Sequence, residues 1–163
     1  MAISVIGQAL RQGKLSLKQT VVEYTGGSTG SALAFACASL GLKFTAIFSD
    51  AFSYSKQLAM EAFGAEVLIV PAHGKGISPE LIEKMKALAH EKVDEMNGFY
   101  VDQFGSMDVV RGYRPMGFEI AQQIDGNIDM LCASVGTAGA LMGTLKGLHE
   151  KNCYPDVTAF EPI

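Results

Sequence analysis

Two glycine-rich stretches, each lying where a short apolar run gives way to a helical one, constrain this chain more than any other feature. They are Thr25-Gly26-Gly27-Ser28-Thr29-Gly30 and Gly136-Thr137-Ala138-Gly139-Ala140. Gly26 and Gly27 permit a tight turn whose N–H groups face outward. A helix beginning near Gly30 places a partial positive charge behind them, which stabilises a carboxylate or a phosphate. Ser28 and Thr29 add hydroxyl donors suited to capping that helix. The plain alternative is an ordinary strand–turn–helix corner with a Ser/Thr cap. The second stretch repeats the arrangement after residues 130–133. No Gly-Lys-Ser/Thr follows it, so it is not a Walker A loop, and Gly26, Gly27 and Gly30 do not fit the dinucleotide fingerprint G-x-G-x-x-G. Two anion turns at the carboxyl ends of parallel strands in one sheet point to one ligand with two anionic ends.

The segments around the turns give the fold class. Short β-branched or aromatic runs at 21–24, 44–48, 67–70, 130–133 and 157–160 read as strands. Their hydrophobicity is continuous rather than alternating, as parallel strands covered on both faces require. Helical stretches at 3–10, 31–40, 55–63, 79–96, 110–124 and 141–149 lie between them. In 55–63 the expected buried face is Leu58, Ala59, Ala62 and Phe63; in 79–96 it is Leu81, Ile82, Met85, Leu88, Ala89 and Met96, with Pro79 suited to the first turn. Such alternation specifies an α/β fold, a parallel sheet with helices on both faces and right-handed crossovers. With 163 residues the chain holds one domain, or one domain and part of a second. The first helix has no lead-in strand, and no helix follows the last strand at Glu161-Pro162-Ile163. The fold is therefore expected to be truncated at both ends.

Composition narrows the partners. A net charge of −4 offers no footprint for nucleic acid. No apolar run is long enough to span a bilayer and no leader pattern opens the chain, so no membrane partner is expected and the cytoplasm is the expected location. Hydrophobic residues make up 48% and charged ones 18%, which suggests surface covered by a partner or a further segment. Cys37, Cys132 and Cys153 are widely spaced and read as reduced thiols. His73, His90 and His149 lack partners at ligand spacing, so no metal site is expected. Asp50, Ser53, Tyr54 and Ser55 read as a polar helix-opening turn explained by capping. Arg111 and Tyr113 read as part of a capped, solvated helix start.

Taken together, the residues resemble the cysteine synthase (O-acetylserine sulfhydrylase) and cystathionine beta-synthase group of pyridoxal-phosphate enzymes. The pieces that carry the resemblance are Val22 through Gly30, Ala32-Leu33-Ala34-Phe35, Phe63-Gly64-Ala65-Glu66 and Asp102-Gln103-Phe104. They continue with Gly117-Phe118-Glu119-Ile120, Ser134 through Gly139 and Ala159-Phe160-Glu161-Pro162. The resemblance implies a three-layer αβα, tryptophan synthase beta-like fold of type II. Residues 1–125 would form mainly the smaller, substrate-binding domain, and 126–163 the start of the larger domain that holds the cofactor phosphate. It also implies transferase or lyase chemistry of amino-acid metabolism, as in cysteine biosynthesis: β-replacement or β-elimination on an O-activated serine.

The same resemblance implies site residues. The family loop Thr-Ser-Gly-Asn-Thr grips the substrate carboxylate, and its Asn touches the cofactor ring. Here Thr25 and Thr29 match, Gly26 replaces the Ser, Gly27 is kept and Ser28 replaces the Asn. Gln103 matches the family glutamine beside the carboxylate. The phosphate loop Gly-Thr-Gly-Gly-Thr reads Gly136, Thr137, Ala138, Gly139 and Ala140, and Ala138 would be strained if its site needs a positive φ. The family's Schiff-base lysine precedes the helix that here begins at Met1, and Lys14 and Lys18 fall after that helix. No catalytic residue is therefore expected within the chain. A small amino-acid substrate and a homodimer, with Met1, Met116 and Met142 on a covering surface, are the implied partners. Two readings stand beside this one: a non-catalytic remnant or binding module that keeps an anion site, and an unrelated nucleotide-binding α/β domain.

Overall fold

The computed structural model describes residues 1–124 and 127–161. Its elements run α1 (Ala2–Arg11), β1 (Thr20–Tyr24), α2 (Ser28–Leu40), β2 (Lys43–Ser49), α3 (Tyr54–Ala62), β3 (Glu66–Val70), α4 (Pro79–Met96), β4 (Phe99–Tyr100), α5 (Met107–Gln123), β5 (Met130–Ser134), α6 (Gly139–His149) and β6 (Asp156–Phe160). Every expected strand and helix is present, with ends moved by a few residues. Only β4 was not anticipated. Two residues carry no periodicity to read, and Phe99 and Tyr100 are strand only because they pair with Val21 and Val22.

The chain divides into two compact units. One comprises Ala2 and Ile6–Asp102; the other takes Met1, Ile3–Val5 and the chain from Gln103 onward. The units part at Asp102/Gln103 because α5 packs on α6 and goes with it. The sequence boundary at 125/126, like Pro162-Ile163, lies outside the described residues.

In the first unit the parallel sheet has the order β3-β2-β1-β4. Its central strands are buried along their length, with Val21, Val22, Ala46 and Ile47 fully inaccessible, the pattern expected of a parallel sheet covered on both sides. Val22, Tyr24 and Ile47 share a cluster with Leu81, Met85 and Ala89 of α4. Strand alternation sends Val21, Ala46 and Phe48 to the opposite face. Ser78 caps α4, its hydroxyl accepting the Leu81 N–H at 3.2 Å. On α3 the buried face differs from the expected one: Met60 is buried, while Leu58 and Phe63 are 45% and 43% exposed. The reason is local to the neighbouring turn, where Met60 fills the space over Gly30.

The second unit corrects the single-sheet expectation. β5 and β6 form their own two-stranded parallel sheet, with Met130 paired to Asp156 and Ser134 to Phe160. These strands are not covered on both faces, for Met130 and Phe160 are each 55% exposed. α5 and α6 cross with backbone against backbone. A Cβ on Gly143 would meet Val110 O and Tyr113, one on Gly147 would meet Arg114 O, and one on Gly117 would meet Thr144 O. Gly139, Gly143 and Gly147 recur every four residues, so one face of α6 has no side chains and lets α5 approach.

Candidate functional site

The first turn is built from the end of β1. The Thr25 N–H donates to Ile47 O at 2.9 Å, which carries the β1–β2 ladder one residue further and fixes Thr25 in place. Thr25 is 2% exposed, and its Oγ1 accepts the N–H groups of Gly27 at 3.0 Å and Gly30 at 3.1 Å. Helix α2 begins at Ser28, not near Gly30, and its N-cap is Gly27, with no side-chain cap bond. The capping role read for Ser28 and Thr29 thus belongs to Thr25. Gly27, at φ 125, folds the chain back so that Thr25 lies beneath the first helical turn.

This leaves two donors unclaimed. The first four N–H groups of a helix have no intrahelical partner. Here Gly30 is satisfied by Thr25, and Ser31 donates to Gly27 O at 2.8 Å. The N–H groups of Ser28 and Thr29 take no acceptor among the described residues. Ser28 is exposed and Thr29 half-buried, so adjacent N–H groups and two hydroxyls gather at the positive end of a 13-residue helix.

A row of side chains backs the turn. Phe52, Lys56 and Met60, four residues apart, lie against Gly26, Gly27 and Gly30 in that order. A Cβ on Gly26 would sit 3.0 Å from the Phe52 ring, and one on Gly27 would sit 2.7 Å and 2.9 Å from Lys56 Cβ and Cγ. A side chain at Gly26 would therefore press on the Phe52 ring. Sequence reading missed this row, although the i, i+4, i+8 spacing was there to be read. It also missed the polar interior at the end of β1. Glu23 is fully buried beside Tyr24, whose phenol is pushed up to about 12 by burial and then by the negative charges of Glu23, Asp102 and Glu83. The Tyr100 phenol is raised by the same burial and by Glu23.

The second turn follows β5. The Val135 N–H donates to Phe160 O at 2.9 Å, and α6 begins at Gly139 with Ala138 as its N-cap. Ala138 adopts φ 60, ψ −8, so the strain foreseen for a positive φ is present, at a cost of about 1 kcal/mol for a residue with a Cβ. The Gly139 N–H donates to Thr137 Oγ1 at 3.3 Å. The N–H groups of Gly136, Ala138 and Ala140 take no acceptor among the described residues. Backbone donors at the head of an 11-residue helix suit a phosphate.

Of the residues singled out by sequence, Thr25, Gly26, Gly27, Ser28 and Thr29 come together in the first unit. Gly136, Thr137, Ala138, Gly139 and Ala140 come together in the second, to which Gln103, 7% exposed, also belongs. The two turns end strands of different sheets, so the expectation of one shared sheet is corrected. Asp50 does not cap α3. Its Oδ1 accepts the Ala72 N–H at 2.7 Å and ties β2 to the strand beside it. Ser53 is the N-cap of α3 but makes no side-chain cap bond, its Oγ lying 2.8 Å from Ser55 Oγ instead. Arg111 pairs with Asp108 at 2.6 Å on the exposed face of α5, and Ser106 caps that helix. Lys14 and Lys18 are exposed. No helix among the described residues is long and apolar enough to cross a membrane.

Comparison with known proteins gives concordant results. The profile of the family described as pyridoxal-phosphate dependent enzyme matches residues 1–163. Cysteine synthase B of Pseudomonas aeruginosa is 34% identical over 163 residues, covering 99% of this chain and 52% of that protein. Cystathionine beta-synthase of Rattus norvegicus is 32% identical over 152 residues, 93% of this chain and 27% of that protein. Among solved structures, O-ureido-L-serine synthase superposes with a TM-score of 0.86 at 28% identity, covering 99% of this chain and 50% of that one. The chain spans about half the length of the Pseudomonas relative, or 52%.

Proposed function

The chain belongs to the pyridoxal-phosphate dependent enzyme family, and on that premise we propose that it supplies the ligand-binding turns of a cysteine synthase-like enzyme. The reaction class is β-replacement or β-elimination on an O-activated serine. The observation that carries this reading is the unclaimed N–H pair of Ser28 and Thr29 at the head of α2. A carboxylate has two oxygens to place on such a pair. Within the first unit, Thr25 would shape the turn, and Ser28 and Thr29 would hold the amino-acid carboxylate. Within the second unit, Gly136, Thr137, Ala138, Gly139 and Ala140 would receive the cofactor phosphate. When bound, pyridoxal phosphate supplies an electron sink for bond breaking beside the substrate nitrogen. What this chain's residues contribute is binding and orientation of the two anionic groups. We assign no proton-transferring lysine within it. The unit containing the first turn would serve the substrate and the one containing the second would serve the phosphate, in a cytoplasmic homodimer.

The test is a titration followed by backbone amide NMR. Pyridoxal phosphate and inorganic phosphate should both move the amides of 136–140, and O-acetylserine those of Ser28 and Thr29. Borohydride reduction of the mixture should label Lys14 and Lys18 no more than the other exposed lysines; selective, stoichiometric labelling of either would overturn the assignment of no lysine. The four departures at Gly26, Ser28, Ala138 and Ala140 favour a second reading, a binding module without catalysis. Absence of any shift from pyridoxal phosphate and O-acetylserine would decide for a remnant that keeps the fold alone.

A further inference from the structure

The turn at the head of α2 has a charge arrangement that the first-turn hydrogen bonds leave unexplained. Helix α2 presents its positive end there, and its first turn contains no acidic residue. A lysine is placed beside it all the same. The Lys56 stem lies on the Cα of Gly27, and its Nζ stands 3.4 Å from Ser28 Oγ. Among the described residues Lys56 forms no ion pair with a carboxylate. Two positive elements therefore converge on the same small surface, and an anion between them would be stabilised by both. The atoms nearest to where a Gly27 side chain would stand all belong to the Lys56 stem, which thus packs on the bare Cα. The ammonium can only donate, so Ser28 Oγ accepts from it and keeps its own O–H free to donate outward.

We propose that Lys56 is a positioning and charge-supplying residue of the substrate carboxylate turn. The proposal rests on reading that turn as a carboxylate site. Its aliphatic stem holds Gly27 in its left-handed conformation, and its ammonium raises the anion affinity of the Ser28 and Thr29 N–H groups. The stem and the charge have separable consequences. Lys56→Met keeps the packing and removes the charge, whereas Lys56→Arg keeps both.

The experiment uses acetate, the simplest carboxylate, with O-acetylserine in parallel, and reads the Ser28 and Thr29 amide shifts at low and high salt. A unit charge about 5 Å from the bound carboxylate in water-like surroundings corresponds to a three- to tenfold change in affinity, roughly. Lys56→Met should bind acetate about three- to tenfold more weakly, lose most of the salt dependence and melt within a few degrees of the parent. Lys56→Arg should restore both affinity and salt dependence. Wild-type-like acetate binding by Lys56→Met overturns the proposal, as does a parent protein whose Ser28 and Thr29 amides ignore acetate. Acetate binding that depends on Lys56, without any response to O-acetylserine or pyridoxal phosphate, upholds the role of Lys56 and removes the amino-acid reading of the site.

Discussion

Replacing Gly143 by alanine separates two effects that act with opposite signs. In an isolated helix the change is favourable, since alanine exceeds glycine by about 1 kcal/mol in helix propensity. In this structure the new Cβ would be driven against Val110 O and would stand 2.5 Å from Tyr113 Cβ and 3.3 Å from Tyr113 Cα. Ordinary carbon contacts lie at about 3.5–4 Å, and a backbone carbonyl cannot rotate aside as a side chain would. The two helices must part by about 1 Å, which also loosens Gly147 against Arg114 and Gly117 against Thr144. Overpacking costs about 1–3 kcal/mol, and a clash with backbone belongs at the upper end. Subtracting the propensity gain leaves about 2 kcal/mol of destabilisation, a factor of roughly 30 in the local opening equilibrium. Hydrogen exchange followed by mass spectrometry should show amide protection in α5 and α6 falling by that factor, with β1, β2 and β3 unchanged. Gly136→Ala is the control: nothing lies within 4 Å of its added Cβ, and its effect should stay within about 0.5 kcal/mol. Unchanged or increased protection of α6 in the Gly143 variant would refute the close helix crossing.

Three further outcomes are expected. Ala138→Gly relieves a Cβ held at φ 60 and should stabilise the protein by about 0.5 kcal/mol, the relief of about 1 kcal/mol being partly offset by the freer unfolded chain; urea unfolding measures it, and destabilisation would contradict the αL assignment. Ser78→Ala removes the hydroxyl that accepts the Leu81 N–H at 3.2 Å and should cost about 1 kcal/mol by the same assay, with Ser78→Asp restoring it. At alkaline pH, burial pushes the Cys37 thiol from 9.0 up to about 12 and the Tyr24 phenol from 10.0 up to about 12. Folding therefore favours the protonated forms: this stability is fully present below the unfolded values and is lost as pH rises through the folded ones. Unfolding free energy should drop by up to about 1.4 kcal/mol per pH unit for each group, between pH 9 and 12 for Cys37 and between pH 10 and 12 for Tyr24, and Cys37→Val should flatten the slope; an unchanged slope in that variant would exclude the buried thiol as its source.

The local pattern of the chain carried a large share of the fold. Pro79 and the apolar spacing of Leu81, Met85 and Ala89 mark α4 from end to end, and the run Phe44-Thr45-Ala46-Ile47-Phe48 could only be a strand buried on both faces. The glycines of both turns were equally plain. What failed at the first turn was the assignment of its cap. Ser28 and Thr29 have the chemistry of caps, yet Thr25 does the capping, because the β1–β2 ladder holds Thr25 beneath the helix. Leu58 and Phe63 looked like the inner face of α3, but the space over Gly30 selects Met60.

Sequence alone determined where strands, helices and glycine turns lie. Each of those features is encoded by residues within a few positions of one another. The tertiary structure decided which strands share a sheet, which hydroxyl closes the turn at α2, why Gly143 and Gly147 must lack a side chain, and that Lys56 stands beside Ser28. Those pairings join residues as far apart as Ser28 and Lys56, or Arg114 and Gly147. They follow from which surfaces fill one another's space, a property of the packed chain that no local stretch of it contains.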